Sequence, residues 1–233
     1  MGIHIMTPLY EKVIKKVLKE YTETFYPDAH PESTSVDGQV FHQEGSPYLT
    51  WAQLTAAAGS SCSDASDYLQ VSWYCEPGPG NNIDFLIRSI LLFDTSPLGN
   101  SAVISQAKLY VYGHEKLDPS DDKPNINVYP SDPASDIVLE AGDFDSLGAT
   151  PFCDIPIAYD NWSLTDYNIF TLNVAGIAAI SKTGVTKLGL RNANYDVAVV
   201  KPTWLGGYTT RIVGCAAEKG DDFRPRLTIT YRA

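Results

Sequence analysis

The chain has 233 residues, a formal net charge of −11 and 44% hydrophobic residues, among them 14 Tyr, 8 Phe and 4 Trp. This composition suits one well-ordered globular domain and excludes a disordered tail, a coiled-coil rod and a collagen. An acidic surface repels phosphate backbones, and no apolar run approaches the roughly 20 residues that span a bilayer, so neither nucleic-acid binding nor membrane insertion is expected.

At the start, Met1 to Met6 are mixed, and Pro8 and Glu11 follow at once. The roughly 7–15-residue apolar stretch of a Sec leader is missing, so none is expected as the chain is written. Residues 7–23 predict an amphipathic helix. Thr7 is a good N-cap and Pro8 sits at the first helical position. Leu9, Tyr10, Val13, Ile14, Val17, Leu18 and Tyr21 recur at steps of three and four, with lysines 12, 15, 16 and 19 on the other face. A helix this short is marginal alone, so its apolar stripe is a candidate assembly surface. The expected organisation is a helical arm over 1–26, a linker over 27–35 carrying Pro27 and Pro31, and a β domain over 36–233.

From Val36 the patterning is that of strands. Segments 39–43, 69–74, 84–93, 101–112, 125–129, 170–172, 187–190, 211–216 and 227–231 alternate or run apolar between Gly, Pro and Asp punctuation. Residues 48–54 form a further short element, 59–67 has loop composition, and 174–181 suits one short helix. Within 84–93, Ile90 and Leu92 face one way and Leu91 and Phe93 the other, before Asp94 and the turn residues Thr95-Ser96-Pro97. Helices do not alternate with long strands, so an α/β enzyme fold is disfavoured and the pattern predicts an all-β, antiparallel sandwich.

The run Arg88-Ser-Ile-Leu-Leu-Phe93-Asp94-Thr95-Ser96, followed by Ala102-Val-Ile104 and Ala107-Lys-Leu109-Tyr-Val111-Tyr112, resembles a stretch of the DNRLRE jelly-roll family of carbohydrate-binding-like modules. Downstream, Thr171-Leu172-Asn173, Gly176-Ile177 and Gly184-Val185-Thr186-Lys187-Leu188-Gly189-Leu190-Arg191 resemble the form found in bacteriophage and environmental viral proteins. Pro225-Arg226-Leu227-Thr228-Ile229-Thr230-Tyr231 resembles the final strand. The resemblance covers about residues 36–231 and rests on segment order, since the literal motif that names the family is absent. It implies a jelly-roll β-sandwich and admits a structural calcium. No other cofactor is expected.

Little in the chain points to catalysis. His4, His30, His42 and His114 have no metal-pair spacing, and no GxSxG, Walker or GxGxxG motif occurs. Acidic pairs such as Asp64/Asp67 and Glu140/Asp143 are expected of any acidic chain, and a glycosidase needs a set separation that sequence does not supply. The densest acidic loop, Asp118, Asp121 and Asp122, is the candidate calcium ligand set. Aromatics in loop-like contexts could stack on sugars: Trp204 and Tyr208 of a Gly-Gly loop first, then Trp162, Tyr159, Trp51 and Trp73. Arg88 is either an inward arginine paired to a carboxylate or a solvent-facing strand residue. Cys62, Cys75, Cys153 and Cys215 are too few for a disulfide scaffold, and both free thiols and pairings of 62 with 75 or 153 with 215 fit the sequence.

The expectation is therefore a non-enzymatic virion structural protein: a surface, decoration or fibre component whose jelly-roll domain contacts glycans and which is anchored or oligomerised through its N-terminal helix. Its partners would be other virion proteins or copies of itself, with cell-surface or extracellular polysaccharide as a further contact. The alternative is a carbohydrate-binding module of an extracellular bacterial protein.

Overall fold

The computed structural model describes residues 19–43, 45 and 47–233. Leu9, Tyr10, Val13, Ile14, Val17 and Leu18, and with them most of the predicted helix, lie outside the described residues. The strands are β1 (Glu20–Phe25), β2 (Asp37–Gln43), β3 (Ser61–Ser63), β4 (Tyr68–Cys75), β5 (Ile83–Asp94) and β6 (Val103–Leu117). They continue with β7 (Asn125–Pro130), β8 (Ile157–Ala158), β9 (Tyr167–Thr171), β10 (Val185–Asn192), β11 (Thr209–Cys215) and β12 (Arg226–Arg232). Among the described residues, two short α-helices, α1 (Trp51–Thr55) and α2 (Val174–Ala178), interrupt them. The fold is all-β and antiparallel, as the patterning predicts.

The strands form one curled sheet in the order β1-β12-β6-β11-β4-β5-β10-β7-β8, with β2 on β5, β3 on β2 and β9 on β6. Two long strands make the curl. Residues 103–112 of β6 pair with β12 and β9, and its last residues, Gly113–Leu117, pair with β11. The change of partner falls where Gly113 faces Gly214 across a register shift. A Cβ at Gly113 would collide with the Ser163 carbonyl oxygen, and one at Gly214 with the Val111 side chain. Both positions need glycine for close approach. β5 makes the second junction. It pairs with β2 along one edge, while β4 and then β10 take successive stretches of the other.

The curl gives two cores. Leu109, Val111, Phe170, Leu227 and Ile229 meet Leu69, Val71, Leu91, Phe93, Val128 and Leu188 in the larger one. Val40, Trp73, Leu86, Ile90 and Leu92 form the second on the opposite face of β5, covered by Trp51 and Leu54 of α1 and by Leu139, Phe144 and Leu147. β5 is thus buried on both faces, which is why its sequence reads as a continuous apolar run.

Charge joins the second core to the sheet. Arg88, 1% exposed, and Arg191 both grip Asp196: Arg88 Nε and Nη2 donate at 2.9 and 2.6 Å, and Arg191 Nε and Nη2 at 2.8 and 2.8 Å. Arg88 also donates to the carbonyls of Phe144 and Thr55, and Arg191 to those of Leu147 and Gly148. Of the two readings of Arg88, the inward one is correct.

The N-terminal region differs from expectation. Residues 20–23 are strand instead of helix, since β1 pairs with β12 from Glu20↔Arg232 to Phe25↔Leu227. Tyr21 stacks on Tyr231 at 5.6 Å, and Phe25 lies in the larger core. The arm predicted over 1–26 therefore overlaps the β body. The predicted linker is a bonded loop: the Asp28 carboxylate accepts from the backbone N–H and hydroxyl of both Ser33 and Thr34 at 2.7–3.0 Å. Elsewhere, residues 48–54 supply α1, with Thr50 and Gln53 forming a capping box, and the loop at 59–67 contains β3. All four cysteines are free thiols. Burial pushes the Cys153 thiol up to about 12.

Candidate functional site

One end of the β4–β11 pair gathers six of the nine residues offered from sequence for glycan or calcium contact. The loop after β4 and the loop before β11 are laced together: Gly207 N–H donates to the Cys75 carbonyl at 2.7 Å, and Cys75 N–H to that of Tyr208 at 2.9 Å. Trp204 Nε1–H donates to the Glu76 carbonyl at 3.1 Å, and Lys201 Nζ to that of Asn81 at 2.7 Å. The Trp204 ring leans against the second core, so it is half-buried, whereas Tyr208 is 53% exposed.

The Asp118–Asp122 loop joins this end through Asp122, whose Oδ1 accepts from Thr203 N–H at 3.0 Å and whose carbonyl accepts from the Tyr195 hydroxyl at 2.7 Å. Tyr159 joins through Lys123, which lies 5.2 Å from its ring centroid and 3.1 Å from the Asp160 carboxylate. Side-chain bonds to Asp121 and Asp160 raise the Lys123 ammonium above its usual range. Trp204, Tyr208, Tyr159, Asp118, Asp121 and Asp122 thus share one loop face.

Trp162 does not. It is 3% exposed and packs with Phe170 in the larger core, so its ring cannot stack on a ligand. Trp51 and Trp73 are core residues for the same reason, at 5% and 1% exposure. The three aspartates do not converge on a common point either. Asp118 accepts the backbone N–H groups of Asp122 and Lys123, Asp122 Oδ2 accepts from Ser120, and Asp121 pairs with Lys123 at 3.0 Å. These bonds build a turn, and among the described residues the group whose possible metal ligands do converge is a different one, His30, Glu32 and Asp64.

Two features of the face were not legible in sequence. Every non-glycine residue with positive φ among the described ones lies in its loops: Asn81, Asp121, Lys123 and Val199, at φ 52°, 58°, 52° and 55°. For a β-branched valine this is a strained conformation, and such strain concentrates where a surface is shaped for function. Val199 and its neighbour Val200 are half-exposed. Beside them a hollow of about 320 Å³ is lined by Tyr48, Thr50, Trp51, Asn82 and Lys201. A larger cleft of about 580 Å³ runs along β9, between Ile155, Ile157, Ile169 and Asn173.

No protein-family model matches the chain, and a search of curated proteins found no match.

Proposed function

We propose that the chain is a virion structural protein, a surface, decoration or fibre component, built as a jelly-roll β-sandwich and working by contact and not by catalysis. In this reading the loop face around Trp204 and Tyr208 touches glycan. The N-terminal segment with its apolar stripe from Leu9 to Leu18 attaches the body to copies of itself or to neighbouring virion proteins. The observation that carries the contact role is the concentration of left-handed backbone at Asn81, Asp121, Lys123 and Val199 around one exposed ring and one hollow. Sugars are met by flat apolar faces flanked by a few fixed polar groups. Tyr48 and Tyr208 supply the first, and Asn82 and Lys201 the second. The buried charges support a scaffold role, since Asp196 is neutralised by two guanidinium groups deep in the body.

The hollow also favours a second reading, a carbohydrate-binding module of an extracellular bacterial protein, which shares the same face. Glycan-array binding tests the contact common to both. Tyr208→Ala alone and Trp204→Ala with Tyr208→Ala should each weaken binding, by about tenfold for loss of about 1.4 kcal/mol of ring contact. Binding unchanged in both variants would remove this face from the account.

A further inference from the structure

At the opposite end of the β4–β11 pair, the connection from β1 to β2 meets the turns that follow β3 and β11. The Glu32 side chain is 2% exposed. Its Oε2 lies 2.9 Å from His30 Nδ1, while its Oε1 is buried with no hydrogen-bond partner. Glu218 repeats this arrangement. Its Oε1 accepts the His30 backbone N–H at 2.9 Å, and its Oε2 is buried and unpartnered. Asp64 Oδ2 accepts the Leu139 N–H at 3.1 Å, and the fully enclosed Asp37 carboxylate accepts the Ala217 N–H at 3.1 Å. Among the described residues, no lysine or arginine pairs with any of these carboxylates.

A buried carboxylate oxygen without a donor is costly, and here two lie in one acidic cluster. Among the described residues, the half-exposed His30 imidazole is the one basic side chain that pairs with the cluster. Burial pushes the Asp37 carboxyl well above the usual range, and the charges of Glu218 and Glu32 push it further. Glu218 is raised by burial too, with Glu32 adding to it. One ligand atom each from His30, Glu32 and Asp64 lie within 4.8 Å of one another. Two ligands of a single ion, each about 2.0–2.6 Å from it, stand at most about 5 Å apart, so the spacing fits one ion. His30, with 53% of its side chain exposed, leaves an entry path.

We propose that Glu32 and Asp64, with Glu218 beside them and His30 on the open side, bind a divalent metal cation that fastens the β1–β2 connection to the body. Carboxylates suit calcium or manganese, and an imidazole ligand would shift preference towards manganese or zinc. The test is calorimetric titration of the metal-stripped protein with Ca²⁺, Mn²⁺ and Zn²⁺, with thermal melts at each saturation. Saturable binding of at least one ion is expected, with a raised Tm. Glu32→Gln and Asp64→Asn should each abolish both effects while the metal-free variants still melt cooperatively, because each amide keeps the size of the side chain and an acceptor oxygen while lowering the negative charge of the cluster by one. Asp118→Asn, in the other acidic loop, should bind as the parent does. Absence of binding by all three ions up to about 1 mM, the weak end for extracellular calcium modules, would overturn the proposal. So would unchanged affinity in both cluster variants.

Discussion

Asp196 is the counter-charge of two buried arginines, and through them four backbone carbonyls depend on it. Burial alone would raise its carboxyl, but Arg88 and Arg191 outweigh burial and hold it below the usual range. A carboxyl whose folded value is depressed stabilises the protein above its unfolded value, near 3.9. That stabilisation is lost as pH falls through the folded value. Asp196→Asn should therefore cost about 3–5 kcal/mol at neutral pH, since it leaves two buried guanidiniums without a counter-charge. Urea melts at a series of pH values check this: the parent should lose part of its advantage over the variant below about pH 4, and a constant difference down to pH 2 would contradict it. Sequence offered Arg88 as a candidate for an inward ion pair but not its partner, because no local pattern links residues 108 positions apart. The opposite faces of Ile90-Leu91-Leu92-Phe93, in contrast, were legible, because strand geometry alone sets them. Trp162 misled for a tertiary reason: its neighbours Asn161 and Ser163 are polar, yet Lys116 gathers the carbonyls of Tyr159, Asp160 and Trp162 and turns the ring inward.

Among the elements, β1 is the instructive one. The apolar periodicity read over 7–23 runs past Lys19, but the composition changes there to Tyr21, Thr22, Thr24, Phe25 and Tyr26, residues that favour strands. That shift was the available signal. The strand is held by Thr22–Thr230 and Thr24–Thr228 hydroxyl pairs at 3.1 and 3.2 Å, by the Tyr21–Tyr231 stack and by Phe25 in the core. Phe25→Ala should cost about 3 kcal/mol, and removal of residues 1–26 should lower the midpoint of urea unfolding. An unchanged midpoint after that deletion would mean that β1 is an addition to a body complete without it. β5 and β12 were legible but for their end residues because their apolar patterning is long, whereas 187–190 caught only the middle of β10 and the reading of β6 stopped at residue 112, five short of its end. β3 and β8 were not, since two or three residues on a sheet edge carry no period.

For the molecule as a whole, the curl of the sheet separates two regions. Loops around Trp204 and Tyr208 crowd one end of the β4–β11 pair, and the acidic cluster around Glu32 lies at the other. The all-β class was legible from strand spacing, while the grouping of the face was not, because it depends on contacts such as Thr203 to Asp122 that join loops 81 residues apart. The net charge of −11 suits a body that stays dispersed until a specific contact holds it. The central claim, that this body is a particle component, is tested most directly by quantitative mass spectrometry of gradient-purified particles from a culture that expresses the chain. Co-sedimentation of the chain with the major capsid protein at a fixed copy ratio through successive gradients is expected. Recovery of the chain only in the soluble extracellular fraction, with none in the particle band, would contradict it.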